Sequence, residues 1–287
     1  MTAAGIRADE RTLGLPGVNG AEICWVASLP PALEGATRCT AWAQARPGVL
    51  LYDIPRVARM RISDGVLVEI CPAAGNKEAL IEQYLQGTAR AVLVHQRGGL
   101  PLHAACLVPP GGGQAVAIAG VSGAGKSTLA AELIRIGWSL LGDDVTPLHE
   151  VEGQVIAYPS KAGVKLWRDA CEALSIDTRD VPRVPGEREK YVVPAGTPAE
   201  AAPLAAIFLL AWGDAESPTA LRGSRLVTAL SAVTFKPHYI AAMGCAGSFL
   251  RIATVVAKTV PARVLTSSGP VSQRADLLTA ACNALLD

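Results

Sequence analysis

The sequence predicts an α/β protein in two parts. A small β-rich domain with a linker helix covers residues 1–90, and a larger α/β domain with a mixed sheet covers residues 91–287. Three observations predict this. The chain has 287 residues, enough for about two domains. Short β-branched or alternating segments crowd its first third. After them, an apolar hairpin runs into a glycine-rich turn and an amphipathic helix.

In the front part, Val49–Tyr52, Val57–Ile62 and Val66–Ile70 read as strands, with Ser63-Asp64-Gly65 as a hairpin turn. Residues 1–20, rich in Gly, Ala and Pro, read as a loose lead-in. Asn76 is placed to cap a helix reaching about Gln96, with Leu80, Ile81, Tyr84 and Leu85 at helical spacing. In the second part, Leu102–Val108 and Gln114–Ala119 flank Pro109-Pro110-Gly111-Gly112-Gly113 and read as an antiparallel hairpin. A helix over Lys126–Ile136 and a strand over Trp138–Leu141 follow. Asp180–Lys190 reads as a mobile loop and Ala205–Trp212 as a buried strand. Ser272 is placed to cap a last helix that turns Leu277, Leu278, Ala281 and Leu285 inward.

Composition excludes several classes. Half the residues are hydrophobic and 18% are charged, which excludes wholesale disorder. Lys+Arg number 26 against 25 Asp+Glu, so no broad nucleic-acid or anionic-membrane footprint is expected. No apolar run approaches the roughly 18 residues that span a bilayer. The N-terminus lacks a basic segment followed by an apolar core, so no signal peptide is expected. The 7 cysteines form no C-x-x-C pair, and the 4 histidines no zinc cluster. Reduced thiols and a cytoplasmic location are the expectation.

The most informative segment is Gly120-Val121-Ser122-Gly123-Ala124-Gly125-Lys126-Ser127-Thr128, a complete G-x-x-x-x-G-K-[ST] pattern. Its glycines let successive N–H groups converge on an anion, and the helix that follows adds its positive end. Lys126 is expected to reach β- and γ-phosphates, and Ser127 to bind Mg²⁺. Gly120, Ser122, Gly123, Ala124, Gly125, Lys126, Ser127 and Thr128 are the candidate nucleotide-binding set.

Asp143 and Asp144 follow the next strand, where a metal ligand or a base is needed. If the strand continues through both, only one faces the site; if it ends at Gly142, both can. A hairpin centred near Gly111 sets His103 across from Ala119, beside the start of the loop. Lys165, Arg168, Arg188 and Lys190 are candidate cations for the transferring group, with Lys190 preferred.

The order of these residues resembles the C-terminal catalytic domain of HPr serine kinase/phosphorylase and its relatives. The matching segments are Gly98-Gly99-Leu100-Pro101-Leu102-His103-Ala104-Ala105, Gly120–Thr128 and Leu140-Leu141-Gly142-Asp143-Asp144-Val145, with a looser match over Tyr158–Trp167. The resemblance implies a P-loop kinase domain of the HPr-kinase/PEP-carboxykinase-like type, using ATP and Mg²⁺ on a serine hydroxyl. It implies that Lys126 and Ser127 bind nucleotide, and that Ser127 and Asp144 hold the metal. Asp143 or Asp144 would take the serine proton, with His103 assisting; Lys190 stays the preferred cation on the chemistry of the transferring group. The family's downstream signature loop is absent, and the front region resembles that of the short HPr-kinase-related proteins. Some of these act on precursor peptides of ribosomally made natural products, including lasso peptides. The implied acceptor is therefore a serine-bearing peptide or small protein, and the implied assembly a homo-oligomer. HPr itself, a small-molecule hydroxyl and non-catalytic ATP binding remain as alternatives.

Overall fold

A computed structural model describes residues 11–13, 20–160, 163–196, 199–213 and 218–286. The lead-in expected over residues 1–20 lies outside the described residues, except for Gly20 and a short strand at Arg11–Leu13. The chain divides into two compact units. One comprises Met1–Leu100 with Lys236–Leu250, the other Pro101–Phe235 with Arg251–Asp287.

The first unit is built on one sheet. Its strands are β1 (Arg11–Leu13), β2 (Ala21–Trp25), β3 (Thr37–Thr40), β4 (Ala43–Arg46), β5 (Val49–Ile54), β6 (Ala58–Ser63) and β7 (Leu67–Pro72). They lie in the order β1-β2-β7-β6-β5-β4-β3, with β2 and β7 parallel. Strict alternation explains β6, which buries Ala58, Met60 and Ile62. Asp64 and Gly65 make the β6–β7 turn with φ of 51° and 73°, the handedness hairpins favour.

The expected linker helix forms as α1 (Glu78–Tyr84), a π turn (Leu85–Ala89) and α2 (Arg90–Gln96). The wider turn keeps Ile81, Leu85, Ala89, Val92 and Leu93 in one core. Asn76 is not the cap. Lys77 holds that position without a side-chain bond, and Asn76 donates back to the Ala73 carbonyl at 2.8 Å. Tyr239, Ile240, Met243 and Cys245, from the distant segment Lys236–Leu250, complete this core.

The second unit holds β8 (Leu100–Leu102), β9 (Ala104–Val108), β10 (Ala115–Ala119), β11 (Ser139–Gly142), β12 (Thr146–Val151), β13 (Gln154–Ala157), β14 (Val164–Trp167), β15 (Lys190–Val193), β16 (Ala202–Ala211), β17 (Thr219–Leu221) and β18 (Ala262–Thr266). Its helices are α3 (Lys126–Arg135), α4 (Arg168–Ala173), α5 (Gly223–Ala232) and α7 (Val271–Leu286). The chain re-enters this unit within α6 (Ala246–Thr259).

The main sheet runs β11-β9-β10-β16-β13-β12-β8, with β18 beside β16 and β17 beside β18. β9 is antiparallel to β10 and β11, whereas β10, β16 and β18 are parallel, so the sheet is mixed. Every residue of β10 is buried, as expected of a central strand covered on both faces. Leu129 and Leu133 of α3 and Leu278 of α7 pack with Leu107, Ile118 and Phe208 of the sheet in one core.

Ala119 pairs with Ala104, so the hairpin register is one residue off and His103 falls in a bend before β9. Val184 is buried and its amide donates to the Lys190 carbonyl at 2.8 Å, so the segment read as mobile is folded against β15. Polar composition hid that tie, because a backbone bond needs no particular side chain. Ser272 lies inside α7, which begins at Val271. Among the described residues no helix is long and apolar enough to cross a membrane. All 7 cysteines are free, and Cys106, Cys171, Cys245 and Cys282 are buried.

Candidate functional site

The phosphate loop links β10 to α3. Gly123 and Gly125 take φ of 83° and 87°, and Gly125 occupies the N-cap of α3. A side chain there would be strained, so glycine is what allows the chain to reverse so tightly before the helix. Lys126 is buried, and its Nζ donates to the Gly120 and Val121 carbonyls at 3.0 and 3.1 Å. Burial pulls its pKa down, while Asp143 and Asp144 oppose that.

β11 ends at Gly142, and both acids then line one cleft with the loop. The cleft has a volume of about 370 Å³. Ser127 Oγ donates to both Asp143 carboxylate oxygens, at 3.0 and 3.1 Å. The Lys165 amide donates to Asp143 Oδ2 at 3.0 Å. Asp143 is nearly fully buried; burial, with Asp144 adding, pushes its carboxyl above the ordinary value.

Asp144 faces a different set of groups. Its backbone turns left-handed, with φ 77°. Lys165 Nζ meets Asp144 Oδ2 at 2.8 Å, and His103 Nδ1 lies 3.4 Å from Oδ1. Burial works to raise this carboxyl, but Lys165, His103 and Lys190 together hold it below the ordinary value. His103 Nδ1 is also 2.8 Å from the Asp144 carbonyl oxygen. A carbonyl only accepts, so His103 Nδ1 carries the proton that points at it.

Of the expected residues, His103, Ser122, Gly123, Gly125, Lys126 and Ser127 line the cleft, as do Thr128, Asp143, Asp144 and Lys190. Gly120 and Ala124 do not. Gly120 lies against Leu210, and the Ala124 side chain is buried in the core. Asp144 was expected beside Ser127, but Ser127 bonds Asp143 instead. Lys190 crosses the Trp167 ring at 5.0 Å. Lys165, ranked behind Lys190 from sequence, is the lysine that touches the acidic pair. Alternation along β14 supplies the signal, sending its side chain to Asp144 while its amide meets Asp143. Arg168 instead pairs with Glu189 at 2.9 Å, largely exposed.

Sequence reasoning missed Arg274, on α7. A Cβ at Gly125 would lie 3.3 Å from its Nη1, which brings a further cation to the phosphate loop. No local pattern around Arg274 announces this, because it depends on how α7 packs.

No protein-family model matches the chain, and no curated protein matches it. Among solved structures, that of the HPr(Ser) kinase/phosphatase from Coxiella burnetii is similar. The identity is 15%, the match covers 65% of this chain and 99% of that one, and the TM-score is 0.38.

Proposed function

We propose that the second unit is an ATP- and Mg²⁺-dependent kinase that phosphorylates a serine hydroxyl of a peptide or small protein. The observation that carries the reading is the division of labour in the cleft. Ser127 engages Asp143, while Asp144, one residue on, faces His103 and Lys165.

Ser127 and Asp143 suit Mg²⁺. They offer hard oxygen donors only, one hydroxyl and one carboxylate, leaving positions for water and phosphate oxygens. When bound, the ion neutralises charge on the β- and γ-phosphates. On this reading the metal side belongs to Asp143 rather than Asp144. Asp144, held ionised by Lys165, then orients the acceptor hydroxyl and takes its proton as the oxygen bonds to the γ-phosphorus. Lys126, Lys165 and Lys190 offset the charge on the phosphoryl group and on the departing diphosphate. His103, bonded to the Asp144 carbonyl, supports the turn that sets this carboxylate.

The test is transfer of label from γ-labelled ATP in Mg²⁺ to serine-bearing acceptors. The panel includes an HPr-type protein, a precursor peptide with a serine near its C-terminus, and a metabolite pool. Label on a serine peptide or protein supports the reading; label on a metabolite alone, or ATP binding without transfer, overturns it. Asp144→Asn is expected to lower transfer at least about 100-fold while ATP affinity stays within about tenfold.

A further inference from the structure

The acidic pair fixes which end of a nucleotide lies where. β11, which carries Asp143 and Asp144 at its end, lies on one side of β10, two places away past β9. β16 and β18 lie on the other side and run parallel to β10, so their C-terminal ends reach the same edge as the phosphate loop. If the terminal phosphate sits at the acids, the base end of a nucleoside triphosphate leads away from them, toward those two strand ends.

An aromatic side chain stands there. Trp212 is the first residue after β16 and is 59% exposed, unusual for an indole at the end of a buried strand. It is held in place. The Arg274 guanidinium lies 4.3 Å from the ring centroid and covers one face. Arg274 is itself oriented, its Nε donating to the Gly269 carbonyl at 3.3 Å, and its Nη1 abuts the loop at Gly125. The turn after β18 is tied to the same place, since the Ser267 amide donates to the Ala211 carbonyl at 3.2 Å. One guanidinium therefore bridges the phosphate loop and an exposed ring.

We propose that Trp212 is the stacking platform for the nucleobase of the bound nucleoside triphosphate, and that Arg274 links this platform to the phosphates held at Gly125. The proposal rests on the kinase reading above and adds to it the site of the base. A ring stacked on the indole face gains affinity that a bare polyphosphate cannot. The arginine serves both ends, presenting its face to Trp212 and its N–H edge to phosphate oxygens.

The experiment is calorimetric titration of the full-length protein with ATP and, separately, with inorganic tripolyphosphate, both with Mg²⁺. Trp212→Ala is expected to weaken ATP binding about tenfold or more and to leave tripolyphosphate binding within about twofold. Trp212→Phe keeps a stacking ring and is expected to stay within about threefold for both. Arg274→Ala is expected to weaken both ligands. Equal effects of Trp212→Ala on the two ligands, or no effect on ATP, overturn the platform while leaving the kinase reading intact. Wild-type protein that binds neither ligand overturns both. Trp212 is largely exposed, so its variants should fold, and a circular dichroism melt matching wild type checks this.

Discussion

At Asp143 the carboxylate has left water almost entirely, and burial lifts its pKa even though Ser127 and the Lys165 amide donate to it. Its neighbour Asp144 is shifted the other way by Lys165 and His103. The two shifts carry opposite signs for stability. A raised folded pKa means the ionised form costs stability, and that cost disappears once the pH falls below the ordinary carboxylate value. Asp143→Asn is therefore expected to raise the melting temperature of the nucleotide-free protein near neutral pH. A gain of ~1 kcal/mol corresponds to about 2–4 °C. The gain should fade toward about pH 4, while Mg²⁺-dependent transfer is lost. Asp144→Asn should do the reverse. A lowered folded pKa contributes stability above the ordinary value, so this variant melts below wild type at neutral pH, and the gap closes on acidification. Thermal melts from about pH 4 to 8 check both signs; the same sign for both variants would contradict the assignment. From the sequence the acids are an equivalent pair. What separates them is the left-handed bend at Asp144, after which its carboxylate meets the Lys165 ammonium and His103 while Asp143 keeps Ser127 and the Lys165 amide.

Among the elements, the two-stranded sheet of β14 and β15 does the positioning. β14 supplies the amide that holds Asp143 and the ammonium that holds Asp144, while β15 supplies Lys190 opposite Trp167. The pairing of the two strands is set by a close approach. Gly163 has φ 99°, and a Cβ there would lie 3.0 Å from the Val193 carbonyl oxygen and from Val192 Cγ1. Gly163→Ala should force β14 off β15 and draw the Lys165 amide from Asp143. We expect a cost of about 1–3 kcal/mol in stability, from the left-handed backbone alone. Turnover should fall more than ATP affinity, since the phosphate loop is untouched; a melt and a comparison of kcat with ATP binding check this. The loop, α3 and the Asp-Asp pair were legible in sequence because each depends on neighbouring residues. The β14–β15 pairing was not, since its strands are short and separated by a long segment that includes α4. Asp180–Lys190 reads as a mobile loop because it is rich in Pro and Arg, although Val184 within it is buried.

For the molecule as a whole, chain order and compact unit do not coincide. Tyr239, Ile240, Met243 and Cys245 are buried in the core of the first unit, although they come from residues 236–250. At about 1.5–3 kcal/mol for each fully buried large side chain, losing them removes much of a typical net stability of 5–15 kcal/mol. A fragment of residues 1–100 is therefore expected to lack a cooperative thermal transition. Covalent addition of residues 236–250 through a flexible linker should restore one. A cooperative melt from the shorter fragment would show that the returning segment is dispensable.

By itself the sequence determined the glycine-rich loop on a helix, the acids that follow it, the antiparallel hairpin that feeds it, and the β-rich front. Each is written in residues a few positions apart, where backbone sterics and periodicity act directly. Only the tertiary structure decided that Ser127 takes Asp143, that Lys165 takes Asp144, that Arg274 lies beside Gly125 and over the Trp212 ring, and that residues 236–250 return to the first core. Those outcomes join segments far apart in the chain. Their geometry follows from how packed surfaces fit together, and no local pattern of residue types encodes that fit.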